Sequence, residues 1–142
     1  MKLVFLDTET TGLTDYDRLC QLAYKVEDMI HNELYKPPVD INIEAMAIHH
    51  ITNDMVKDKP LFKDSEHYEP IKLMLESKDH IMICHNVPYD QKMLQREGIT
   101  PKTTICTLKL ARHLLKEDKK VTKYNLQHLR FALDINDEAA VA

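Results

Sequence analysis

Two acidic side chains end an apolar run near the start of the chain, where Leu3–Leu6 is followed by Asp7 and Glu9. Side chains on a strand alternate between its faces, so both carboxylates would project from one face and Thr8 and Thr10 from the other. Neighbouring like charges repel each other unless a positive group lies between them. A hard divalent cation, which prefers oxygen ligands, is therefore the first candidate for a group bound by this pair.

A second concentration of polar side chains follows a later apolar run, in the stretch ICHNVPYDQKML. The run Ile81–Cys84 has the character of a short strand, and His85–Asp90 comes directly after it. Ligands of open α/β sheets bind beyond the carboxyl ends of the strands, so this cluster should share one site with Asp7 and Glu9. Asp90 has an alternative role as the N-cap of its helix, but capping leaves the first two acids unexplained.

The segments that must position these residues alternate between strand and helix, which predicts an α/β layer fold. The continuously apolar run Lys2–Leu6 predicts a central strand covered on both faces, within a mixed sheet. Further strands are predicted at His80–Cys84, at Thr104–Cys106 and in an antiparallel hairpin of Leu19–Val26 and Met29–Tyr35. Helices are predicted at Ile43–Ile48, Asp64–Glu76, Asp90–Glu97, Leu108–Lys116 and Leu126–Leu133.

The composition is that of one globular domain over residues 1–142. The chain is 44% hydrophobic and 30% charged, and a chain of this length buries roughly two thirds of its unfolded surface. Cys20, Cys84 and Cys106 form no CxxC pair, so we expect small buried hydrophobic residues and neither disulfides nor a zinc site. No apolar run reaches the ~20 residues of a membrane span or forms a signal-peptide core, which predicts a soluble, cytoplasmic protein.

The charge balance excludes one way of binding nucleic acid. A net charge of −4 is not typical of a protein that coats a duplex by neutralising its phosphates. It is compatible with an enzyme that holds a few nucleotides through metal ions. The run KEDKK, Lys116–Lys120, is typical of a solvated face, with a phosphate contact as the weaker interpretation.

Two extended motifs give the chain a family resemblance. DTETTGL, Asp7–Leu13, and HNVPYD, His85–Asp90, resemble the first two motifs of the DEDD family of 3′–5′ exonucleases, in particular its proofreading, epsilon-subunit-like group. EAMAIHHIT, Glu44–Thr52, is similar to a further family stretch, with His50 in place of a glycine. CTLKLAR, from Cys106, and YNLQHL, from Tyr124, resemble the segments that lead to the third motif.

The resemblance implies a fold, a reaction and a metal site. The fold is ribonuclease H-like, with a central strand at residues 2–7 and a hairpin at about 19–35, flanked by helices. The reaction is hydrolysis of phosphodiester bonds at a 3′ end, which releases nucleoside monophosphates. Two Mg²⁺ or Mn²⁺ ions ~3.5–4 Å apart serve such chemistry, and the resemblance assigns Asp7, Glu9 and Asp90 as their catalytic protein ligands.

The resemblance also implies contacts to the substrate, at Thr10, Leu13, Ile48, His49, Asn86 and Tyr89. Aromatic stacking tolerates any base and contributes roughly 1–3 kcal/mol per base, which suits an enzyme that trims ends without reading them. His49 has an equal alternative as a capping or packing group. His85 is expected to orient other groups, since the general-base histidine belongs to the third motif.

The third motif, His-x-x-x-x-Asp, is expected after the YNLQHL segment, but no histidine follows Leu129. Asp134, Asp137 and Glu138 lack the upstream histidine and are interpreted as a solvated stretch. We therefore expect a fragment of a longer reading frame that lacks its last helix. The alternative function is a non-catalytic module that binds nucleic acid or a polymerase. Whether the single-stranded 3′ end is DNA or RNA stays open, as does a DNA polymerase partner.

Overall fold

The computed structural model describes residues 1–135 and contains a five-stranded mixed sheet with helices. The strands are β1 (Lys2–Thr10), β2 (Leu19–Val26), β3 (Met29–Leu34), β4 (His80–Cys84) and β5 (Thr104–Cys106). Their order in the sheet is β3-β2-β1-β4-β5. The predicted α/β class, the central first strand and the hairpin are all confirmed.

The pairing of β1 explains why the two polar clusters come together. β1 runs antiparallel to β2 and parallel to β4, and β4 runs parallel to β5. The carboxyl ends of β1 and β4 therefore lie at the same edge of the sheet. The end of β1, which carries Asp7 and Glu9, and the stretch His85–Asp90 after β4 therefore meet at that edge, as the sequence predicts.

The burial of β1 differs from the prediction. Val4, Leu6, Thr8 and Thr10 are buried, while Leu3 is 45% exposed and Phe5 is 52% exposed. This strict alternation means that only one face of β1 packs into the main core among residues 1–135. The prediction of a strand covered on both faces was wrong for this reason, because a continuous apolar run does not itself show where helices pack. β1 also extends beyond Leu6 to Thr10, which lies within the first motif.

The helices are α1 (Ile43–His49), α2 (Asn53–Val56), α3 (Tyr68–Glu76), α4 (Val87–Arg96), α5 (Thr107–Leu114) and α6 (Leu126–Ala132). α2 was not predicted. The helix predicted from Asp64 divides into a short 3₁₀ turn, Phe62–Asp64, and α3. α4 begins three residues before the predicted start, because Pro88 occupies its first turn, a position where proline costs no backbone hydrogen bond.

Three apolar clusters hold the elements that carry the site, and one of them fixes α1 through Ala45, which packs with Cys20 of β2. The main core joins β1, β2 and β4 to α3 and α4 through residues such as Leu22, Ile71 and Leu94. A smaller cluster of Ala111, Val121 and Leu129 joins α5 to α6. The main core thus fixes α3 and α4 to the sheet, and the smaller cluster fixes α6 to α5.

Other predictions concern the cysteines, membrane spans and the chain end. Cys20 and Cys84 are buried as expected, Cys106 is only partly buried, and all three are free. Within residues 1–135 no helix is both long enough and apolar enough to cross a bilayer. Asp137 and Glu138 lie outside the described residues, and Asp134 follows α6 with a positive φ of 53°.

Candidate active site

Asp7 and Glu9 lie on β1 on the face opposite the buried Thr8 and Thr10, as the period of two predicts. Asp7 keeps access to solvent, yet neighbouring atoms remove part of the water around its carboxylate, which raises its pKa. A backbone hydrogen bond at Thr8 and the charge of His85 act in the opposite direction and lower the pKa. Partial burial likewise raises the pKa of Glu9, and the negative charge of Asp7 raises it further. The two carboxylates are therefore close enough to repel each other.

Asp90 faces β1 from the first turn of α4. Only 3% of the residue is exposed, and its Oδ1 accepts a hydrogen bond of 2.8 Å from Thr8 Oγ1. Burial raises the pKa of Asp90 to about 6, with a further upward contribution from Asp7 that the Thr8 hydrogen bonds oppose. The N-cap of α4 is Asn86, at φ 87°. The capping alternative for Asp90 is thus contradicted.

These three carboxylates supply the oxygen donors that a hard divalent cation takes. Asp7 is electrostatically coupled to both Glu9 and Asp90, and all three pKa values are raised. No three His, Cys, Asp or Glu side chains of the described range form a ready-made metal cluster. The residues fit a cation in charge and donor type, and the remaining ligands would have to come from water, substrate or other residues.

A cavity of about 440 Å³ lies next to Glu9, between the end of β1, α1 and α4. Five of the six predicted substrate contacts line it: Thr10, Leu13, Ile48, His49 and Tyr89. Leu13 is 81% exposed and Ile48 is 73% exposed, so two apolar side chains stand in solvent at its rim. Asn86, the sixth predicted contact, does not line it.

Tyr89 and Thr10 join the two walls of this cavity. The hydroxyl of Tyr89 and Thr10 Oγ1 are hydrogen-bonded to each other, and Thr10 Oγ1 also donates to the Gly12 carbonyl at 3.0 Å. Tyr89 therefore ties α4 to the end of β1. Its ring is held at the cavity by a contact that the sequence motif alone does not show.

Both ring nitrogens of His49 are engaged within the protein. Nδ1 accepts a hydrogen bond from the Ile51 amide at 3.1 Å, so Nε2 carries the proton that it donates to the Thr10 carbonyl at 3.0 Å. This geometry matches the capping and packing alternative for His49. His49 lines the cavity and links α1 to β1.

His85 is also fully engaged. Its Nε2 lies 2.7 Å from the Tyr124 carbonyl, which can only accept, so Nε2 is the donor. Its Nδ1 lies 2.9 Å from Thr107 Oγ1. His85 therefore links the end of β4 to α5 and to the segment before α6, in agreement with the expected orienting role.

The loop between β1 and β2 depends on Asp17, which sequence reasoning missed. Asp17 accepts hydrogen bonds from Thr11 Oγ1 at 2.6 Å and from the amide and hydroxyl of Thr14, both at 2.7 Å. A Cβ on Gly12 would lie 2.7 Å from Asp17 Oδ2 and 2.3 Å from Asn42 Nδ2. Gly12 thus permits the close packing that presents Leu13. An Asp four residues after the first motif was the available signal.

Asn42 was missed as well, although an Asn before a helical run signals an N-cap. The side-chain oxygen of Asn42 accepts a 2.7 Å hydrogen bond from the Ala45 backbone N–H. The backbone N–H of Asn42 donates to the Thr11 carbonyl at 3.0 Å. One residue therefore starts α1 and fixes it to the loop. This contact sets the distance between Leu13 and Ile48 across the cavity.

A family model described as Exonuclease (RNase_T) matches residues 4–139, almost the whole chain. The chain belongs to this exonuclease family. DNA polymerase III subunit epsilon of Rickettsia prowazekii (strain Madrid E) is 32% identical over 154 residues, which cover 94% of this chain and 64% of the relative. Exodeoxyribonuclease 10 of Escherichia coli (strain K12) is 34% identical over 116 residues, which cover 79% of this chain and 48% of the relative.

Solved structures agree with this exonuclease assignment. Exonuclease X in complex with 5′ overhanging duplex DNA is 29% identical, has a TM-score of 0.70, and is matched over 96% of this chain and 75% of that chain. Exonuclease I, at 18% identity and a TM-score of 0.78, shares the fold. The family resemblance and the ribonuclease H-like fold class are confirmed. The chain spans less than two thirds of the length of the curated relatives named above.

Proposed function

We propose that this exonuclease removes nucleoside monophosphates from the 3′ end of single-stranded DNA with the help of two Mg²⁺ or Mn²⁺ ions. The observation that carries the proposal is the position of three carboxylates at one edge of the sheet. Asp7 and Glu9 project from one face of β1, and the buried Asp90 accepts a hydrogen bond from Thr8 of the same strand. Three raised carboxylate pKa values at one place are typical of a functional site. Membership of the exonuclease family supports this interpretation.

Asp7, Glu9 and Asp90 are the proposed metal ligands. Divalent ions bound there would activate water and stabilise the charge on the leaving oxygen of a phosphodiester. The protein contributes the positions of the three carboxylates. Thr8, by donating to Asp90, keeps that carboxylate turned towards β1.

The cavity beside Glu9 is the proposed site of the terminal nucleotide. Leu13 and Ile48 offer exposed apolar surface to a base, and Tyr89 is held at the opposite wall by Thr10. Contacts of this kind bind any base through its faces. Asn86 stays a predicted contact, outside the cavity lining.

A polymerase partner is a further part of the proposal. Several of the similar proteins are named DNA polymerase III subunit epsilon. The relatives named Exodeoxyribonuclease 10 support a stand-alone enzyme instead. Co-purification of the full-length protein with its polymerase, compared with activity of the protein alone, distinguishes the two.

The decisive experiment uses single strands of DNA and RNA that carry a label at the 5′ end. With Mg²⁺ or Mn²⁺ the full-length protein should shorten the labelled DNA one nucleotide at a time, and EDTA should stop the reaction. Immediate release of a labelled mononucleotide would contradict the polarity, and internal cuts would contradict exonuclease action. Faster digestion of RNA would reassign the substrate.

A second candidate is a non-catalytic module that binds nucleic acid. It is favoured by the lack of a three-ligand metal cluster within residues 1–135. Such a module would bind strands without shortening them. General base catalysis typically contributes 10²–10⁴-fold, so a protein lacking that base should cleave at least a hundredfold more slowly than one that carries it. Binding of labelled strands by residues 1–142 with no shortening in Mg²⁺ or Mn²⁺ would support this module.

A further inference from the structure

Basic charge is concentrated in one short segment of an acidic chain. The basic segment, Thr107–Tyr124, holds six Lys or Arg residues and two acids, whereas the rest of the chain holds 13 Lys or Arg and 21 Asp or Glu. An asymmetry of this kind indicates an anionic partner. The KEDKK run lies in the middle of this longer basic stretch, which favours the phosphate-contact interpretation of the run over that of a solvated face.

The cations of this segment are free to meet a partner. All six are exposed: Lys109, Arg112, Lys116, Lys119, Lys120 and Lys123. None of the ion pairs found between described residues involves them; those pairs use cations elsewhere, such as Lys2, Arg18 and Lys92. Their side chains are therefore not held in ion pairs in the described part of the chain, and Glu117 and Asp118 leave the segment with a net charge of +4, since six cations face two acids.

Both ends of the basic segment are fixed to the candidate active site by one residue. His85 binds Thr107 Oγ1 through Nδ1 and the Tyr124 carbonyl through Nε2, at 2.9 and 2.7 Å. His85 also lines the same cavity as Asp7, at the carboxyl ends of β1 and β4. The segment therefore leaves the site at the start of α5 and returns to it before α6.

The helix inside the segment spaces its cations regularly. Lys109 and Arg112 lie one turn apart on α5, and Lys116 follows one turn later, just after the helix ends. A rise of about 1.5 Å per residue separates Lys109 from Arg112 by about 4.5 Å along α5. The packing of Ala111 on Val121 and Leu129 keeps this row in place.

We infer that the basic segment binds the phosphate backbone of the nucleic-acid strand upstream of its 3′ end. The inference rests on the proposed function, because it assigns the remote part of the same substrate. The carboxylates at the site repel phosphates when no metal is bound, so a cationic surface attached to the site supplies attraction that the site itself lacks. Exposed cations along a strand bind any sequence.

The test compares two triple variants with the same change in charge. The first is Lys109→Gln with Arg112→Gln and Lys116→Gln. The control is Lys59→Gln with Lys78→Gln and Lys102→Gln, three exposed lysines of which the last two precede β4 and β5, at the opposite edge of the sheet. Fluorescence anisotropy measures binding of thymidylate strands of 20 and 3 nucleotides, protected at the 3′ end by phosphorothioate linkages, over a range of salt concentrations.

For the first variant, affinity for the 20-nucleotide strand should fall roughly tenfold at low salt, and the slope of log affinity against log salt should flatten by about 2. Affinity for the 3-nucleotide strand should not change, and the control should match the wild type. Equal salt slopes in both variants would overturn the inference. So would unchanged strand binding together with loss of binding to polyglutamate, which would assign the surface to an acidic polypeptide. Failure of the wild type to shorten unprotected strands would instead count against the proposed function.

Discussion

Single residues at this site are defined by what their polar atoms contact. Asp7 and Glu9 retain solvent access, while Asp90 is buried and held by Thr8. The two histidines near them, at 49 and 85, spend both ring nitrogens on the protein itself. Metal binding is therefore assigned to carboxylates, and the histidines position the walls around them.

The first residue-scale prediction concerns Asp7→Ala. Removal of a direct metal ligand should lower Mg²⁺-dependent cleavage by at least about 100-fold, since even outer-shell changes cost 10–100-fold. The metal-free protein should keep or raise its melting temperature, because repulsion between Asp7 and its two acidic neighbours disappears. Thermal melts with and without Mn²⁺ check this: the ion should raise Tm of the wild type only. A sharp drop in Tm of the metal-free variant would show that Asp7 is structural.

A second prediction concerns His50, which stands where the family carries glycine. It follows α1 with φ 63°, in the left-handed region that suits glycine, and its amide caps α1 by donating to the Met46 carbonyl at 2.8 Å. His50→Gly should therefore raise the free energy of unfolding by up to about 1 kcal/mol. Urea unfolding measures the change. The matched reverse change, Gly98→Ala at φ 80°, should destabilise the protein, and a stabilising result there would refute the reasoning.

The residues of the two motifs could be predicted because their types and spacing are local features of the sequence. Asp17 and Asn42 could not, since each acts through contacts with a loop whose conformation the sequence does not show. For His49 the sequence allowed two roles, a substrate contact and a capping or packing group. Only the positions of the Ile51 amide and Thr10 carbonyl show which nitrogen carries its proton.

At the scale of elements, the loop that joins β1 to β2 forms one wall of the cavity. Asp17 is buried, and its carboxylate accepts three hydrogen bonds from Thr11 and Thr14. The guanidinium of Arg96, on α4, donates to the Asp17 carbonyl at 2.5 Å and to the Thr14 carbonyl at 3.2 Å. The loop is thus fixed from inside and from α4.

This loop should make stability depend on acid pH. Burial alone would raise the pKa of Asp17, but the hydrogen bonds from Thr11 and Thr14 outweigh it and lower the pKa. A lowered carboxyl pKa in the folded state contributes stability that is present above the unfolded value, near 4, and is lost as pH falls through the folded value. Asp17→Asn, which loses both bonds from Thr14, should cost about 2 kcal/mol at pH 7.

Urea unfolding of both proteins at pH 7 and pH 3 measures this difference. The gap between wild type and Asp17→Asn should narrow at pH 3, because the wild-type carboxyl begins to take up a proton. A gap of equal size at both pH values would contradict the role given to the charge of Asp17.

Element boundaries were predictable where turn residues mark them and not elsewhere. The start of α4 was placed at Asp90 because an Asp often caps a helix, whereas the cap is Asn86, in a left-handed conformation. Gly98 did mark the end of α4 correctly, with φ 80°. Asn adopts positive φ more often than most residues other than glycine, but this preference alone does not mark Asn86 as the start of a helix.

At the scale of the whole molecule, the strand order brings distant motifs to one edge of the sheet. The α/β class and the hairpin followed from the alternation of apolar and polar segments. The burial of the two faces of the sheet could not be predicted in this way, because it depends on where helices cross the sheet. Register places Phe5 beside Ile83 on β4, with Ile105 next to Ile83 on β5, in a row that includes the half-exposed Phe5 and the exposed Ile105.

The same scale explains how an acidic protein would bind a polyanion. Most of the chain repels phosphates, and the basic segment beside His85 attracts them. Binding of long strands should therefore weaken steeply with salt, whereas turnover of very short strands should depend on salt only weakly. Measuring kcat/KM for both lengths between 50 and 200 mM salt, with ~20 and ~3 nucleotides, checks this. Equal salt dependence for both lengths would contradict it.

The most direct test of the central claim is the identity and metal dependence of the first product released from a 3′-labelled single strand of DNA. The full-length protein should release a labelled nucleoside monophosphate with Mg²⁺ or Mn²⁺ and none with EDTA. Variants Asp7→Ala, Glu9→Gln and Asp90→Asn should each lose this release while staying folded. Undiminished release in EDTA, or by any of the three variants, would contradict the claim that these carboxylates form a metal-dependent exonuclease site.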